Sequence, residues 1–326
     1  MKPILSIVIP SYQNDIALRQ VIENILTVCA SQELEEDVEV YVEAHSCSKF
    51  KENYLKNIKA KNFRYRSTKE YFEFDENIER SLLNSKGEYI WLLGDEENIT
   101  SIGLAEIMSV IRKDKSLNVI VVGAQEIKST SDWNQVTYAN EKTQSFNNLS
   151  DFGKSLSKRI GFISCLIFNR EALETKDMIP EKVKNIGFYH IALLLTYLRS
   201  CKNMDSIFIP HPCFSYIKDI REKDPKFIKD RLIVNAFSYK KVYEETLPKH
   251  VSGIFIENII IRFVPYIFKD KLNKPSIKIY LKIFNQYRSY LKSYTYILPV
   301  IIFPTFLLKI LQKIINFIRM INNWVL

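Results

Sequence analysis

The sequence predicts an α/β fold built on a mostly parallel sheet with helices on both faces, followed by a helical C-terminal region. Three observations carry this. Short β-branched and aromatic runs alternate with segments of helical spacing, and the links between them are short. Residues able to do chemistry fall just past the ends of separate strands, where ligands bind in such sheets.

The first strand is the apolar run 5–10, closed by Pro10. A polar loop, Ser11, Tyr12, Gln13 and Asn14, follows it, and Asn14 or Asp15 can cap the next helix. Leu18, Val21, Ile22, Ile25 and Leu26 set the helical period of residues 16–29. Residues 38–42 form a second strand, with Glu43, Ala44, His45 and Ser46 in the loop at its end. A basic helix over 51–61, a short strand over 63–66 and a helix over 75–85 come next, the last with Ile78, Leu82 and Leu83 on one face. Residues 89–93 read as a buried central strand. Gly87 before it suits the left-handed turn that ends a helix, and Gly94 after it lets the backbone leave the strand edge. A helix over 102–112 and a strand over 119–122 complete the alternation. Residues 128–157 are polar and aperiodic, the character of a long loop that carries substrate contacts. Strands over 162–168, 207–210 and 214–216, and an apolar helix over 188–198 containing His190, finish the domain.

The chain is organised around KGEYIWLLGDEE, residues 86–97, in which a buried strand discharges Asp95, Glu96 and Glu97. Three adjacent carboxylates are costly unless a cation or a wet cleft receives them. Oxygen-only donors suit Mg2+ or Mn2+, and those suit phosphate. The alternative is an acidic loop that caps the helix beginning near Thr100 and Ser101.

With 326 residues and 47% hydrophobic content, the chain can bury a sizeable core, and it divides into residues 1–217 and 218–326. Five scattered cysteines without a C-x-x-C argue against zinc or a disulfide framework and for a reducing compartment. The N-terminus lacks the basic-then-apolar layout of a signal peptide. The net charge of +9 resides at one end: from Lys269 onward ten Lys or Arg stand against Asp270 alone. A basic tail rich in Ile, Leu, Phe and Tyr points to an anionic membrane surface and not to nucleic acid. Within it, Lys309, Lys313, Asn316, Arg319 and Asn323 form a polar stripe on an otherwise apolar helix, and Lys278, Lys282, Gln286, Ser289 and Lys292 repeat the pattern earlier. The most apolar run, 294–308, contains Pro299 and Pro304 and is shorter than the ~20 residues needed to span a bilayer. An interfacial position is therefore expected, the alternative being helices that bury one another or a dimer partner.

LSIVIPSYQN (5–14), the strand ending in Glu43, FDENIERSL with Asn77, and KGEYIWLLGDEE together resemble family 2 glycosyltransferases, which have the nucleotide-diphospho-sugar-binding GT-A fold. GFISCLIFNREAL (161–173) and GFYHIALLLTYL (187–198) look like the bacterial abequosyltransferase-like branch, which builds O-antigen, capsule and related surface glycans. The resemblance covers residues 3–217. It implies that Pro10, Tyr12 and Asn14 line the nucleotide site with Tyr12 against the base, and that Glu43 takes the place of a base-contacting aspartate. It puts Asp95 at the ribose and diphosphate, Glu97 at the metal, and Glu96 between those roles. The branch usually carries Gly-Asp-Asp-Asp, so here two carboxylates reach one methylene further.

The resemblance further implies inverting transfer of one sugar from a nucleotide-sugar to a surface-glycan acceptor, expected to be polyprenyl-diphosphate-linked, on the cytoplasmic face of the plasma membrane. Divalent metal, Mn2+ or Mg2+, is the expected cofactor. The Glu-Asp pair that many family members place at the start of a late helix is missing. His190 stands in its neighbourhood, and a histidine with an ordinary pKa near ~6.5 can take a hydroxyl proton; the alternative is a core histidine. A non-catalytic GT-A-fold subunit that binds nucleotide-sugar or glycan is the competing reading. A nucleotidyltransferase would want a glycine-rich basic loop, and residues 10–14 contain neither glycine nor lysine.

Overall fold

A computed structural model describes residues 2–12, 15–127, 142–217, 225–260 and 277–302. They fall into two compact units, Met1–Lys218 with Glu245–Leu247, and Asp219–Glu244 with Pro248–Leu326.

The first unit begins with the strand-helix alternation that the spacing predicts: β1 (Leu5–Ser11), α1 (Asp15–Ser31), β2 (Val38–Ala44), α2 (Lys49–Asn57), β3 (Phe63–Ser67), α3 (Phe74–Asn84) and β4 (Tyr89–Leu92). It continues with β5 (Glu97–Ile99), α4 (Ser101–Lys113), β6 (Val119–Ile127), β7 (Gln144–Phe146), α5 (Leu149–Leu156), β8 (Leu166–Asn169), α6 (Tyr189–Ser200) and β9 (Ser206–Ile217). The sheet runs β3-β2-β1-β4-β8-β6-β9-β5, with β7 also on β9. Its first four strands are parallel, so their carboxyl ends share one rim. From β4 onward the pairing is mixed, because β8 enters antiparallel between β4 and β6.

Both faces are covered, and the central strands are apolar without alternation, as burial on two sides demands. Leu5, Ile7, Val8, Ile9, Ile90, Trp91 and Leu92 are fully buried. The Trp91 indole N–H, which needs a partner in that setting, donates to the Ser164 carbonyl at 2.8 Å.

Several local readings change. Gly87 does not take a left-handed backbone, since Gly187 is the glycine with positive φ among the described residues. A side chain at 87 would instead strike the Ser6 amide nitrogen, with Cβ at 2.4 Å, so glycine there permits close approach of β1 and β4. Residues 162–165 are not strand: a single 3-10 turn, Ile163–Cys165, precedes β8. The two short strands around His211 are one, β9, whose register slips opposite Gly123. Part of the expected long loop is structured as β7 and α5, while residues 128–141 lie outside the described residues.

In the second unit, α7 (Pro225–Thr246), α8 (249–260), α9 (Ile277–Tyr287), a π-helical turn (Ser293–Ile297) and α10 (Leu298–Ile302) follow one another. The apolar stripe of α9, Tyr280, Ile283 and Tyr287, is buried, and the Tyr287 hydroxyl donates to the Ala236 carbonyl. Leu291 and Ile302 remain exposed, at 75% and 69%. No described helix is long and apolar enough to cross a membrane. The stripe expected over 306–326 lies outside the described residues.

Candidate functional site

The parallel strands bring the sequence-marked residues to one rim. Pro10 pairs with Glu43 and Ser11 with Ala44 across β1 and β2, while β4 lies on the other side of β1 and leads into Gly94 and Asp95. Tyr12, the first residue past β1, is 40% exposed. Its ring stacks on His45 at 4.9 Å with 26° between planes and meets Tyr71 edge-on at 5.6 Å. His45 is buried, and its Nδ1 accepts from the Phe72 amide at 3.0 Å. Burial, with lesser contributions from Lys51 and Arg80, lowers its pKa. It is thus a neutral, fixed backing for the Tyr12 ring.

Glu43 is fully buried. The Tyr41 hydroxyl donates to its Oε2, and Asn84 Nδ2 approaches the same oxygen at 3.4 Å. Oε1 has no hydrogen-bond partner, although the Nε atoms of Arg80 and Arg66 stand 3.7 and 3.9 Å away. The Arg80 guanidinium lies 3.9 Å over the Phe72 ring, which joins Glu43 to the aromatic group around Tyr12.

The acidic loop is tied to the same edge. Ser11 Oγ donates to Asp95 Oδ2 at 3.0 Å, and the Tyr12 amide also donates to Asp95. Burial raises the Asp95 pKa and the Glu96 charge adds to it, against Ser11, Lys51 and the Tyr12 amide. Glu96 is exposed. Glu97 opens β5, and its Oε2 accepts from the Gly94 amide at 2.8 Å and from the Ser164 hydroxyl. Burial pushes its pKa up to about 7. A Cβ on Gly94 would lie 2.9 Å from that carboxylate, so glycine is what lets Glu97 fold back on the loop. At the position where the resemblance implies a metal ligand, the structure gives the carboxylate two inward hydrogen bonds.

Lys51 was not marked by sequence reasoning. It is buried, and its Nζ donates to the Tyr12 carbonyl and, at 3.2 Å, to Ser11 Oγ, while pairing with Asp15 at 3.2 Å. One signal was readable: Lys51 and Leu55 sit four apart and are the two buried residues of α2, so helical spacing puts the lysine on the inner face. Ser164 had no comparable signal.

His190 sits apart from this cluster, in the first turn of α6. Asp75 of α3 caps that turn, accepting from the Gly187 and Tyr189 amides at 2.9 and 3.0 Å. The His190 ring lies between Phe188, stacked at 6.0 Å, and Phe74, edge-on at 6.4 Å. Neither ring nitrogen has a partner with hydrogen-bond geometry. Burial lowers its pKa to about 3, with the Gly161 backbone pulling weakly the other way. Asn14 lies outside the described residues. Arg159 covers the Phe208 ring at 4.6 Å.

Among the described residues no group of three His, Cys, Asp or Glu is gathered to hold a metal. Asp95 and the exposed Glu96 are donors of the kind a hard cation takes one or two at a time, completing its shell with phosphate oxygens, whereas Glu97 is turned inward.

Comparison with solved structures agrees with this architecture. TarS from S. aureus (residues 1–349) aligns with a TM-score of 0.56 over 88% of this chain and 81% of its own, at 14% identity. Its complex with UDP-GlcNAc gives 0.53 at 13% identity, over 88% and 85%. The mannosyltransferase PcManGT from Pyrobaculum calidifontis, bound to GDP-Man and Mn2+, gives 0.53 over 92% and 86% at 11% identity. The fold is that of the GT-A glycosyltransferases. No family model matches the sequence, and no curated protein does either.

Proposed function

We propose that this protein is a glycosyltransferase that moves a sugar from a nucleotide-sugar donor to a bacterial surface-glycan acceptor, by metal-assisted inverting displacement. The observation that carries the reading is the meeting of Tyr12, Glu43 and Asp95, from three separate strands, on one rim of a GT-A sheet. Tyr12 offers an open aromatic face backed by neutral His45, which suits a nucleobase. Glu43, at the implied base-contacting position, is fully buried with its Oε1 facing the Arg80 and Arg66 guanidinium groups, so it would act on the base through these neighbours. The cation would be held by Asp95, with Glu96 beside it and Glu97 joining only on release of its Gly94 and Ser164 hydrogen bonds, and it would supply charge compensation for the departing nucleoside diphosphate.

His190 is the candidate to receive the acceptor hydroxyl proton. Its burial keeps it unprotonated at neutral pH, and because the residue is 2% exposed between Phe74 and Phe188, an acceptor hydroxyl reaches it only if one of those rings moves aside. The acceptor is proposed to be lipid-linked, with the C-terminal unit on an anionic cytoplasmic membrane face; the exposed Leu291 and Ile302 and the basic tail support this. Truncation after Lys274 should then abolish binding to vesicles containing phosphatidylglycerol, and unchanged binding would remove the membrane from the proposal.

A second reading, a nucleotide-sugar-binding subunit without turnover, is favoured by two observations: Glu97 is committed to inward hydrogen bonds, and a histidine titrating near 3 is a weak base. One assay separates the two. Nucleotide-sugars are screened with Mn2+ for thermal stabilisation, which reports binding to the folded state, and those that bind are followed for hydrolysis. Sustained hydrolysis that disappears in Glu97→Ala supports the transferase. Stabilisation without hydrolysis supports the subunit, and no stabilisation by any nucleotide-sugar rejects both.

A further inference from the structure

We infer that Lys51 is a positioning residue: a buried internal cation that holds the donor loop in its binding geometry before metal arrives and sets how tightly the acidic loop takes that metal. The inference rests on the nucleotide-sugar reading of this rim and adds to it a residue on a different helix. Lys51 is 1% exposed, so it does not touch a ligand directly. Its ammonium instead makes three inward contacts, to the Tyr12 carbonyl, to Ser11 Oγ and to the Asp15 carboxylate.

Two of those contacts act on the donor site. The Tyr12 backbone is gripped on both sides of its Cα, the carbonyl by Lys51 and the amide by Asp95, and this fixes the direction in which the Tyr12 ring leaves the strand. Ser11 Oγ lies 3.2 Å from Lys51 Nζ and 3.0 Å from Asp95 Oδ2, so the lysine stands one hydroxyl away from the carboxylate. A buried positive charge at that range offsets the crowding of Asp95 with Glu96 and, for the same reason, opposes a second cation entering beside them. The two consequences have opposite signs. Removing the charge should loosen the nucleotide and tighten the metal, which a residue that merely supports the fold would not do.

The test uses the full-length protein and two readouts, neither of them activity. Affinities for UDP, GDP, dTDP and CDP are measured by calorimetry in EDTA and in Mn2+, and Mn2+ affinity alone is measured from the free-ion electron paramagnetic resonance signal. For Lys51→Met, the nucleotide that binds should weaken roughly tenfold in EDTA, the scale of one charge-assisted hydrogen bond, while Mn2+ binds roughly threefold tighter or more. Lys51→Arg should restore most of both. Should Lys51→Met not fold, Ser11→Ala breaks the hydroxyl relay and keeps the charge; nucleotide affinity should then drop with Mn2+ affinity changed less than twofold. Unchanged nucleotide affinity in the variant overturns the inference. So does joint weakening of nucleotide and Mn2+ that arginine does not repair, since that marks a scaffold residue. If the wild-type protein binds none of the four nucleotides under either condition, the donor-site reading itself fails and takes this inference with it.

Discussion

Two regions, the strand rim around Tyr12 and the first turn of α6 around His190, are built on opposite principles. On the strand side, Ser11, Lys51, Asp15 and the Tyr12 backbone form one connected network around Tyr12 and Asp95. On the helix side, His190 lies between two phenyl rings, and among the described residues the Gly161 backbone is the one polar group that acts on it, without good hydrogen-bond geometry. Connected polar networks hold one geometry, whereas a buried group lacking partners carries a penalty that a ligand can remove. Under the proposed function, the strand side is prepared for a donor in advance, whereas a hydroxyl at His190 would first have to displace the rings that cover it. Substitutions on the strand side should accordingly act on affinity and charge, and substitutions at His190 on protonation.

The largest effect is expected at Asp95. Asp95→Asn keeps the shape and a hydrogen-bond acceptor for Ser11 but removes the charge, and hydrolysis of the nucleotide-sugar that binds should fall by on the order of 10²–10³-fold. Steady-state assays across Mn2+ concentrations check this. A loss under fivefold would mean that the strand side is not where leaving-group charge is managed.

At His190 the expected effect is on acid stability. Its folded pKa of about 3 lies below the ordinary value of 6.5. Between those two values the unfolded chain takes up a proton that the folded protein refuses, so stability is complete above pH 6.5 and declines as pH falls toward 3. The slope approaches ~1.4 kcal/mol per pH unit. From pH 7 to pH 5 the wild-type protein should thus lose about 2 kcal/mol more than His190→Phe, by urea unfolding at both pH values. Parallel losses in the two proteins would mean that His190 is not held neutral by burial, and the contrast between the two sides would disappear.

The same contrast separates what is legible in the amino-acid sequence from what is not. Tyr12, Glu43 and Asp95 are legible as neighbours because parallel strands with short links end on a common rim, whatever their side chains do. Side-chain commitments are not legible. Glu97 looks like Asp95 in sequence, yet it opens a three-residue strand too short for periodicity to reveal and folds onto Gly94. Gly87 follows a helix, the usual place for a left-handed turn, but its real constraint comes from Ser6, 81 residues away. His190 is marked by its place near a missing motif, while its apolar setting depends on Phe74 from a distant helix. Local pattern locates elements; which atoms are already bonded is decided by contacts remote in sequence.

The smallest effect tests the finest part of the comparison, that the strand side is prepared in advance. Tyr12 is more than a third exposed, but it rests on His45, which the Phe72 amide fixes in turn. If the ring acts as a platform for a base, what matters is its aromatic face and not its hydroxyl. Tyr12→Phe should then change nucleotide affinity less than twofold. Tyr12→Ala should weaken it roughly tenfold, toward the lower end of the ~1–3 kcal/mol found for one stacked base. Because His45 and the backbone contacts of residue 12 remain, thermal stability without nucleotide should hold within a few degrees in both variants. Calorimetric titrations beside melting curves distinguish the outcomes. Equal losses in the phenylalanine and alanine variants would assign the work to the hydroxyl, and a large drop in melting temperature would make Tyr12 a cover for His45. In either case the prepared aromatic face would no longer separate the strand side from the helix side.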